Sequence, residues 1–320
     1  MARSDNPLDG KLVTITGGSG FVGGHLAQAL LARGCRLRIV SRHPERAFRL
    51  RPLAELGQVQ FVRGDTPRPE TIFRAFAGAY GAVNLVGAFA GDLDRLQGEG
   101  AGRIAALARQ AGARAFVHVS ALGADAGSAS EYARTKAQGE AAVRAAFPAA
   151  TILRPPVLFG EDDRFINRFA QLIARLPVLP VFGPHARLQA LNVDDACEAI
   201  ANALADPASH GGKTYEIAGP EAIPMLELNR RIAAAQGRER HFIALPDAVS
   251  EAFATLTGWL PGAPLTRDQW ALLRRGSMLS GKNGLDALGV TPRPLGLFLD
   301  RWMVRYRKHG RFGAKVRAPR

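Results

Sequence analysis

A serine, a tyrosine and a lysine in the middle of the chain have the spacing of a proton-transfer site. Ser120 follows the apolar run 115–119, and Tyr132 and Lys136 stand four residues apart in the next helical pattern. Residues at that spacing share one face of a helix. The pKa of a free tyrosine is about 10, and a neighbouring ammonium favours its phenolate. We predict that Tyr132 transfers a proton, supported by Lys136, while Ser120 holds a carbonyl or alcohol oxygen. A chance pair on a helix surface is the alternative for Tyr132 and Lys136.

A glycine-rich turn near the start of the chain has the context of a dinucleotide-binding loop. The β-branched run 12–16 leads into glycines and then into a helical pattern over 21–33. Strand, glycine turn and helix in this order let a pyrophosphate approach the backbone at a helix N-terminus. A plain tight turn is the alternative. The residues predicted to bind the cofactor here are Gly17, Gly18, Ser19, Gly20, Phe21, Val22 and Gly23.

The end of the second predicted strand favours NADP(H) over NAD(H). An NAD site usually has an acidic residue there, whereas this chain has Ser41 and Arg42 and no carboxylate before Glu45. The guanidinium of Arg42 can pair with a 2′-phosphate, and Ser41 can donate a hydrogen bond to it. A surface arginine in an arginine-rich chain is the alternative.

Two further strand ends extend the predicted cofactor site. Asp65, after the third strand, either hydrogen-bonds the adenine amino group or organises its own turn. Leu85, Val86 and Gly87, after the fourth strand, would place bare backbone beside the second ribose, although small residues also suit an ordinary loop.

The alternation of strands and helices predicts an α/β fold with a Rossmann-type, doubly wound parallel sheet. Ligands of such sheets bind beyond the carboxyl ends of the strands, where the residues above fall. Strands are predicted at 12–16, 36–41, 59–63, 82–86, 115–119 and 150–154. We assign 1–160 and 188–220 to an NAD(P)-binding domain. The remainder, 161–187 and 221–320, is assigned to a smaller, mainly helical C-terminal substrate domain with a basic tail.

The composition is that of a soluble globular protein. Of the 320 residues, 47% are hydrophobic and 22% are charged. No apolar run is long enough to cross a membrane, and the first residues lack the apolar core of a signal peptide, so a cytoplasmic location is expected. Cys35 and Cys197 are predicted to be buried apolar residues, and the histidines lack ligand spacing, so we expect no metal.

A net charge of +14 raises the question of a partner. A basic tail either is solvated or contacts an anionic membrane or an acidic protein, and without a binding motif we expect no nucleic acid. Membrane contact would make the protein peripheral on the cytoplasmic face of the inner membrane. After Asp300 every charged residue is basic: Arg301, Arg305, Arg307, Lys308, Arg311, Lys315, Arg317 and Arg320.

The apolar segment 253–264 has three possible roles. It could form a substrate lid, or a shallow membrane contact helped by Trp259 and Trp302. The interpretation that we favour from the sequence is that these tryptophans pack inward.

These motifs together resemble the extended short-chain dehydrogenase/reductases. The resemblance is carried by 16–23, by Ser120 with Tyr132-x-x-x-Lys136, and by 154–160, which looks like the family's path into its substrate region. The segment 159–170 resembles an atypical branch that contains the NADPH-binding accessory subunit of respiratory complex I and bacterial relatives described as epimerase/dehydratase-like. The resemblance adds Pro155, Tyr132 and Lys136 to the predicted cofactor-binding residues.

Three functions follow from these residues and this resemblance. The leading one is an NADP(H)-binding oxidoreductase that acts on a small hydroxyl- or carbonyl-bearing substrate. The first alternative is a non-catalytic accessory protein that holds NADPH within respiratory complex I or a quinone-synthesis assembly, because a bound nucleotide can stabilise a fold without turnover. The second alternative is a sugar-nucleotide epimerase or dehydratase; such enzymes usually prefer NAD(H), so Ser41 and Arg42 argue mildly against it. No sugar-nucleotide signature identifies a substrate.

Overall fold

The computed structural model describes residues 6–260, 263 and 265–310. The four basic tail residues Arg311, Lys315, Arg317 and Arg320 lie outside this range. The strands are β1 Leu12–Thr16, β2 Arg36–Ser41, β3 Val59–Arg63, β4 Gly81–Asn84, β5 Ala115–Val119, β6 Thr151–Arg154, β7 Leu158–Phe159, β8 Val178–Val181, β9 Arg187–Leu188, β10 Leu191–Asn192, β11 Thr214–Glu216, β12 Ile223–Pro224 and β13 His241–Ala244.

The helices alternate with these strands through the first two thirds of the chain. They are α1 Phe21–Leu31, α2 Pro69–Ile72, α3 Glu99–Gln110, α4 Glu131–Ala146, α5 Phe165–Arg175, α6 Val193–Ala205, α7 Pro207–His210, α8 Met225–Ala235, α9 Asp247–Thr257, α10 Arg267–Arg275, α11 Gly284–Ala287 and α12 Gly296–Trp302. Short 3₁₀ segments occupy Pro44–Leu53, Phe73–Phe76 and Met303–Tyr306, and a π-helical turn, Asp94–Gly98, precedes α3.

Seven parallel strands form the main sheet, in the order β3-β2-β1-β4-β5-β6-β11. The strand order reverses beside β1, which pairs with β2 on one side and β4 on the other. A crevice that can admit a ligand opens at such a reversal, outside the carboxyl ends of the strands. The predicted doubly wound α/β sheet is therefore confirmed.

Helices bury the central strands of this sheet on both faces, which explains their continuous apolar runs. All four residues of β4 are buried, and so are Val13 to Thr16 of β1. On one face, Phe116 of β5 packs in a cluster with Ile104 of α3 and Val143 of α4. The strands are therefore held firmly, and their carboxyl ends can present side chains at fixed positions.

The strand β4 ends at Asn84, two residues before the predicted end at residue 86. The side-chain oxygen of Asn84 accepts a hydrogen bond from Val86 N at 3.0 Å. This local bond turns the chain out of the ladder, as asparagine side chains often do. Leu85, Val86 and Gly87 consequently belong to a loop.

The chain divides into two compact units. The first contains the described residues up to Pro155, with Val193–Ile217 and Ser280–Thr291. The second contains Pro156–Asn192, Ala218–Leu279 and the described residues from Pro292 onward. All the predicted catalytic and cofactor-binding residues lie in the first unit.

The second unit has its own apolar core and three two-stranded sheets, β7 with β10, β9 with β12 and β8 with β13. Its core contains Phe159, Ile173 and Ile232, and the half-buried Trp302 stacks on Phe298 at 4.8 Å. Inward packing is confirmed for Trp302. None of the helices within 6–260, 263 and 265–310 is apolar over a length that would span a bilayer.

The prediction of inward packing is wrong for Trp259, whose side chain is 77% exposed. The helix α9 buries its other side, where Ser250 and Ala254 are fully covered and Ala254 packs near Trp270. Trp259 follows the end of α9 and is therefore left outside this small cluster. Residues 261, 262 and 264 of the same predicted segment lie outside the described residues.

Candidate functional site

The loop between β1 and α1 packs backbone against backbone on the loop that follows β4. Gly17 has a φ of +75°, a conformation that side chains with a Cβ rarely adopt. A Cβ at this position would also lie 3.1 Å from Leu85 C and Val86 N. The glycine therefore brings the predicted phosphate loop beside the predicted ribose loop.

Two other glycines of this loop differ in what surrounds them. A Cβ on Gly23 would overlap the Gly18 carbonyl oxygen and lie 2.5 Å from Gly18 Cα, so α1 can start this close to the loop only with glycine. A Cβ on Gly20 would meet only Gly17 O, at 3.4 Å. Gly20 is the N-cap of α1, and no side chain caps the first N–H groups of the helix. Open space at uncapped N–H groups suits a phosphate.

Two hydroxyls meet at the end of β2, and an arginine is the next residue of the chain. Ser41 Oγ lies 2.6 Å from Ser19 Oγ of the glycine loop and accepts a hydrogen bond from His43 N at 3.1 Å. The Arg42 side chain next to them is exposed and has no ion pair with the described residues. This group offers hydrogen-bond donors and one positive charge, which is the chemistry that a phosphate requires.

The turn after β3 closes without the carboxylate of Asp65. The Asp65 backbone N–H donates to Thr71 Oγ1 at 2.9 Å, and Arg68 N donates to the Asp65 carbonyl oxygen at 2.9 Å. No hydrogen bond joins the half-buried Asp65 carboxylate to the described residues. The backbone therefore forms the turn, and the predicted contact of this carboxylate with adenine stays a prediction.

Lys136 brings its charge into the protein beside the ribose loop. Its side chain is 3% exposed, and Nζ donates to the Val119 carbonyl oxygen at 3.2 Å. Nζ would lie 3.2 Å from a Cβ on Gly87 and is 5.8 Å from the centre of the Tyr132 ring. Burial lowers the pKa of Lys136 to about 8, opposed by the negative charge of Glu140. The structure thus places Lys136 beside both Tyr132 and Gly87.

An aromatic residue that the sequence analysis missed covers Tyr132. The Phe89 ring stacks on the Tyr132 ring with centres 4.5 Å apart and planes 12° apart. Phe89 itself is 64% exposed. Its position two residues after Gly87, in a loop at the carboxyl end of a strand, is the signal that could have identified it.

The Ser120 hydroxyl is directed at a buried carboxylate. Ser120 Oγ donates to Glu140 Oε1 at 2.5 Å. Arg154 binds the same carboxylate through two hydrogen bonds of 2.8 and 2.7 Å and lies 3.6 Å from Glu216. Because its single O–H donates to Glu140, Ser120 in this arrangement can accept a hydrogen bond from a ligand but has no proton left to donate one. Glu140 lies four residues after Lys136, and that spacing is the signal for it that the sequence contains.

A row of buried polar side chains supports this part of the sheet. Thr16 Oγ1 donates to Asn84 Oδ1 at 3.0 Å, and Asn84 Nδ2 donates to His118 Nδ1 at 3.1 Å. Burial, and next the charge of Lys136, lower the pKa of His118 to about 3. His118 is therefore neutral at physiological pH. Its proton lies on Nε2, which has no hydrogen-bond partner among the described residues.

The last predicted cofactor residue, Pro155, follows β6. Pro155 is buried, and its carbonyl oxygen accepts a hydrogen bond from Leu122 N at 2.8 Å. This bond ties the loop after β5 to the loop after β6. Ser120 and Arg154 stand at the start of these two loops, and both bind Glu140. The carboxylate therefore links the two loops a second time.

Comparison with protein-family models matches residues 17–171 to a family described as NAD(P)H-binding. The chain is 35% identical over 254 residues to a ceramide reductase of Caulobacter vibrioides, covering 78% of each protein. It is 32% identical over 300 residues to the mouse mitochondrial NADH dehydrogenase (ubiquinone) 1 alpha subcomplex subunit 9, covering 91% of this chain and 79% of that protein. The corresponding subunit of Dictyostelium discoideum is 34% identical over 219 residues, which are 66% of this chain and 60% of that subunit.

Solved structures share the fold at low sequence identity. An NADPH-dependent quinone oxidoreductase of Escherichia coli, complexed with NADPH, superposes with a TM-score of 0.73 at 19% identity, covering 90% of this chain and 98% of that one. A triphenylmethane reductase of Citrobacter, complexed with NADP(H), gives a TM-score of 0.72 at 20% identity, covering 89% of this chain and 97% of that one.

Proposed function

Because the chain belongs to the NAD(P)H-binding, extended short-chain dehydrogenase/reductase-like family that includes complex I alpha subcomplex subunit 9 and ceramide reductase, we propose that it is an NADP(H)-dependent oxidoreductase. Its substrate is a small molecule that carries a hydroxyl or carbonyl group. The observation that carries the proposal is the grouping of Tyr132, Lys136 and Gly87.

The residues of the first unit fit the cofactor. The open space at Gly20 and the uncapped start of α1 suit the pyrophosphate, and Ser41 and Arg42 suit the 2′-phosphate. The bare backbone of Gly87 beside Lys136 suits the second ribose. When bound, the nicotinamide supplies or accepts the hydride.

The side chains of this protein then handle the proton. The Tyr132 hydroxyl exchanges it with the substrate oxygen, and the buried ammonium of Lys136 favours the phenolate that remains. Phe89 covers one face of the Tyr132 ring and keeps water from it. Because the Ser120 hydroxyl donates its hydrogen bond to Glu140, we assign the hydrogen bond to the substrate oxygen to Tyr132 alone.

The variant Tyr132→Phe tests this assignment. Removing the hydroxyl should lower NADPH-dependent turnover of a carbonyl probe by roughly 100-fold or more while leaving the dissociation constant for NADPH within about twofold. Turnover is followed by NADPH absorbance with a panel of simple aldehydes, ketones and quinones, and affinity by fluorescence titration. The matched control is Tyr80→Phe, which removes a hydroxyl bound to Leu204 O elsewhere in the first unit. Undiminished turnover in Tyr132→Phe would contradict the proposal.

A second candidate is an accessory protein that holds NADPH as a stabilising ligand of a respiratory or quinone-synthesis assembly. Two observations favour it: the matches to complex I alpha subcomplex subunit 9, and the hydrogen bond that the Ser120 hydroxyl donates to Glu140 rather than to a ligand. Native mass spectrometry of protein from its own cells separates the candidates. The accessory role predicts co-purified NADPH together with subunits of the assembly, and no turnover of the probes.

A further inference from the structure

The end of α9 exposes a group of large apolar side chains. Its members are Leu256, Trp259 and Leu260, with exposed fractions of 73%, 77% and 45%. We call these three residues the α9 tip. The indole N–H of Trp259 donates to the Leu256 carbonyl oxygen at 2.9 Å, which holds the ring at the end of the helix. Contiguous exposed apolar surface on a folded protein marks an interaction site.

The core of the second unit does not need the α9 tip. The opposite side of α9 is covered, with Ser250 and Ala254 fully buried and Phe253 packed against Phe182. Ala254 forms a small cluster with Leu265 and Trp270. Because α9 is anchored by this side, its exposed side chains are available for another purpose.

The uncharged sequence of the α9 tip and the positive charge of the whole chain favour a lipid surface as the occupant. Residues 252–266 contain no charged side chain, so nothing in this stretch resists insertion into the interfacial region of a bilayer. Acidic and basic side chains balance at the border: exposed Asp247 and Glu251 of α9 and half-buried Asp268 of α10 stand against Arg267, Arg274 and Arg275, and Arg274 is 3.6 Å from Glu251. Arg267 is the basic residue nearest the end of α9 in the chain, and its N is 3.1 Å from a Cβ on Gly258. The net charge of +14 attracts the whole chain to an anionic surface.

We propose that the α9 tip docks the protein on the surface of an anionic lipid bilayer. Leu256, Leu260 and Trp259 enter the headgroup boundary, where a tryptophan ring is favourably placed, and the arginines of α10 remain among the phosphates. This contact is shallow and reversible, and it is independent of the proposed oxidoreductase function.

Vesicle sedimentation with the full chain tests the proposal. The probe is phosphatidylcholine vesicles with and without phosphatidylglycerol. We expect binding to the anionic vesicles, and the double variant Leu256→Ser/Trp259→Ser should bind them at least roughly tenfold more weakly. The matched control is Leu297→Ser, because Leu297 is 65% exposed on another helix of the same unit. Circular dichroism checks that each variant is folded, which the exposure of all three residues predicts.

Tryptophan fluorescence supplies a second readout. Trp259 is exposed, whereas Trp270 is buried and Trp302 is half-buried. Anionic vesicles should shift the emission of the wild-type protein to shorter wavelength, and Trp259→Phe should remove this shift. Failure of the wild type to bind overturns the proposal, and so does full binding by the double variant, which would assign the contact to other basic residues. The proposal would also be overturned if the wild type does not bind vesicles but self-associates, and the double variant loses that self-association. The α9 tip would then contact a second copy of this chain.

Discussion

Lys136 determines the electrostatics of the candidate site. Its ammonium lies between the Val119 carbonyl oxygen and the backbone of Gly87, and its charge contributes to keeping His118 neutral. A buried ammonium costs free energy that a solvated one does not. The protein accepts this cost at a position where the charge can stabilise the Tyr132 phenolate.

The cost of burying Lys136 predicts a pH dependence of stability. The pKa is 10.5 in the unfolded chain and about 8 in the folded protein, so between these values the unfolded chain binds more protons. The free energy of unfolding should therefore rise as the pH rises through this window, because folding no longer buries a charged Lys136. Lys136→Met should remove this rise. Its free energy of unfolding should exceed that of the wild type most below about pH 8, where the wild type buries a fully charged ammonium. Urea titrations across the window measure both effects.

The matched control for this variant is Lys11→Met, because Lys11 is exposed at the start of β1. Its pH curve should run parallel to that of the wild type. If the Lys136→Met curve is also parallel, Lys136 does not titrate in this window and the prediction is contradicted.

Arg42 should determine the choice between the two nucleotides. Replacing it with aspartate puts a negative charge where the 2′-phosphate is proposed to bind, so Arg42→Asp should weaken NADPH binding by roughly 10- to 100-fold and change NADH binding little. Fluorescence titration measures both affinities. Arg46→Asp is the control, because Arg46 is an exposed arginine of the following 3₁₀ segment. Equal loss of both nucleotides in Arg42→Asp would show that the 2′-phosphate binds elsewhere.

At the scale of the element, the start of α1 offers a direct comparison of two glycines. Gly23→Ala must push the helix away from Gly18 and should lower the free energy of unfolding by about 1–3 kcal/mol. Gly20→Ala fits the apo fold, because its Cβ meets only Gly17 O at 3.4 Å, but it narrows the space for phosphate. It should weaken nucleotide binding with little loss of stability. Chemical denaturation and nucleotide titration of both variants give the comparison, which fails if Gly23→Ala is as stable as wild type.

The sequence predicts the elements better than the contacts between them. Alternating apolar runs identify β1 to β6, and the glycines identify the turn into α1, because both signals are local. The early end of β4 depends on one side-chain hydrogen bond of Asn84. The partner of Ser120 depends on how α4 packs on the sheet, since Glu140 is twenty residues away along the chain. No local pattern contains that information.

At the scale of the whole molecule, hydrophobicity alone does not separate a core from a docking surface. Trp302 is the last residue of α12 and Trp259 lies just after α9, yet one stacks on Phe298 and the other is exposed. The difference arises because α12 packs on α8 inside the second core, whereas α9 has only the small cluster around Trp270 to cover it. Which side of a helix finds a partner depends on the complete fold.

The return of Val193–Ile217 and Ser280–Thr291 to the first unit has a consequence for biosynthesis. A nascent chain leaves the ribosome from its N-terminus, so the glycine loop and strands β1 to β6 emerge well before β11. Until β11 arrives, β6 presents an unpaired edge that can recruit other chains. Glu216 at the end of β11 can form its bond to Ser280 only later, when Ser280 has been synthesised; in the folded protein Ser280 Oγ donates to Glu216 Oε2 at 2.7 Å. The first unit is thus the first to begin folding and among the last to be completed, and the edge of β6 stays open to chaperones until β11 pairs with it.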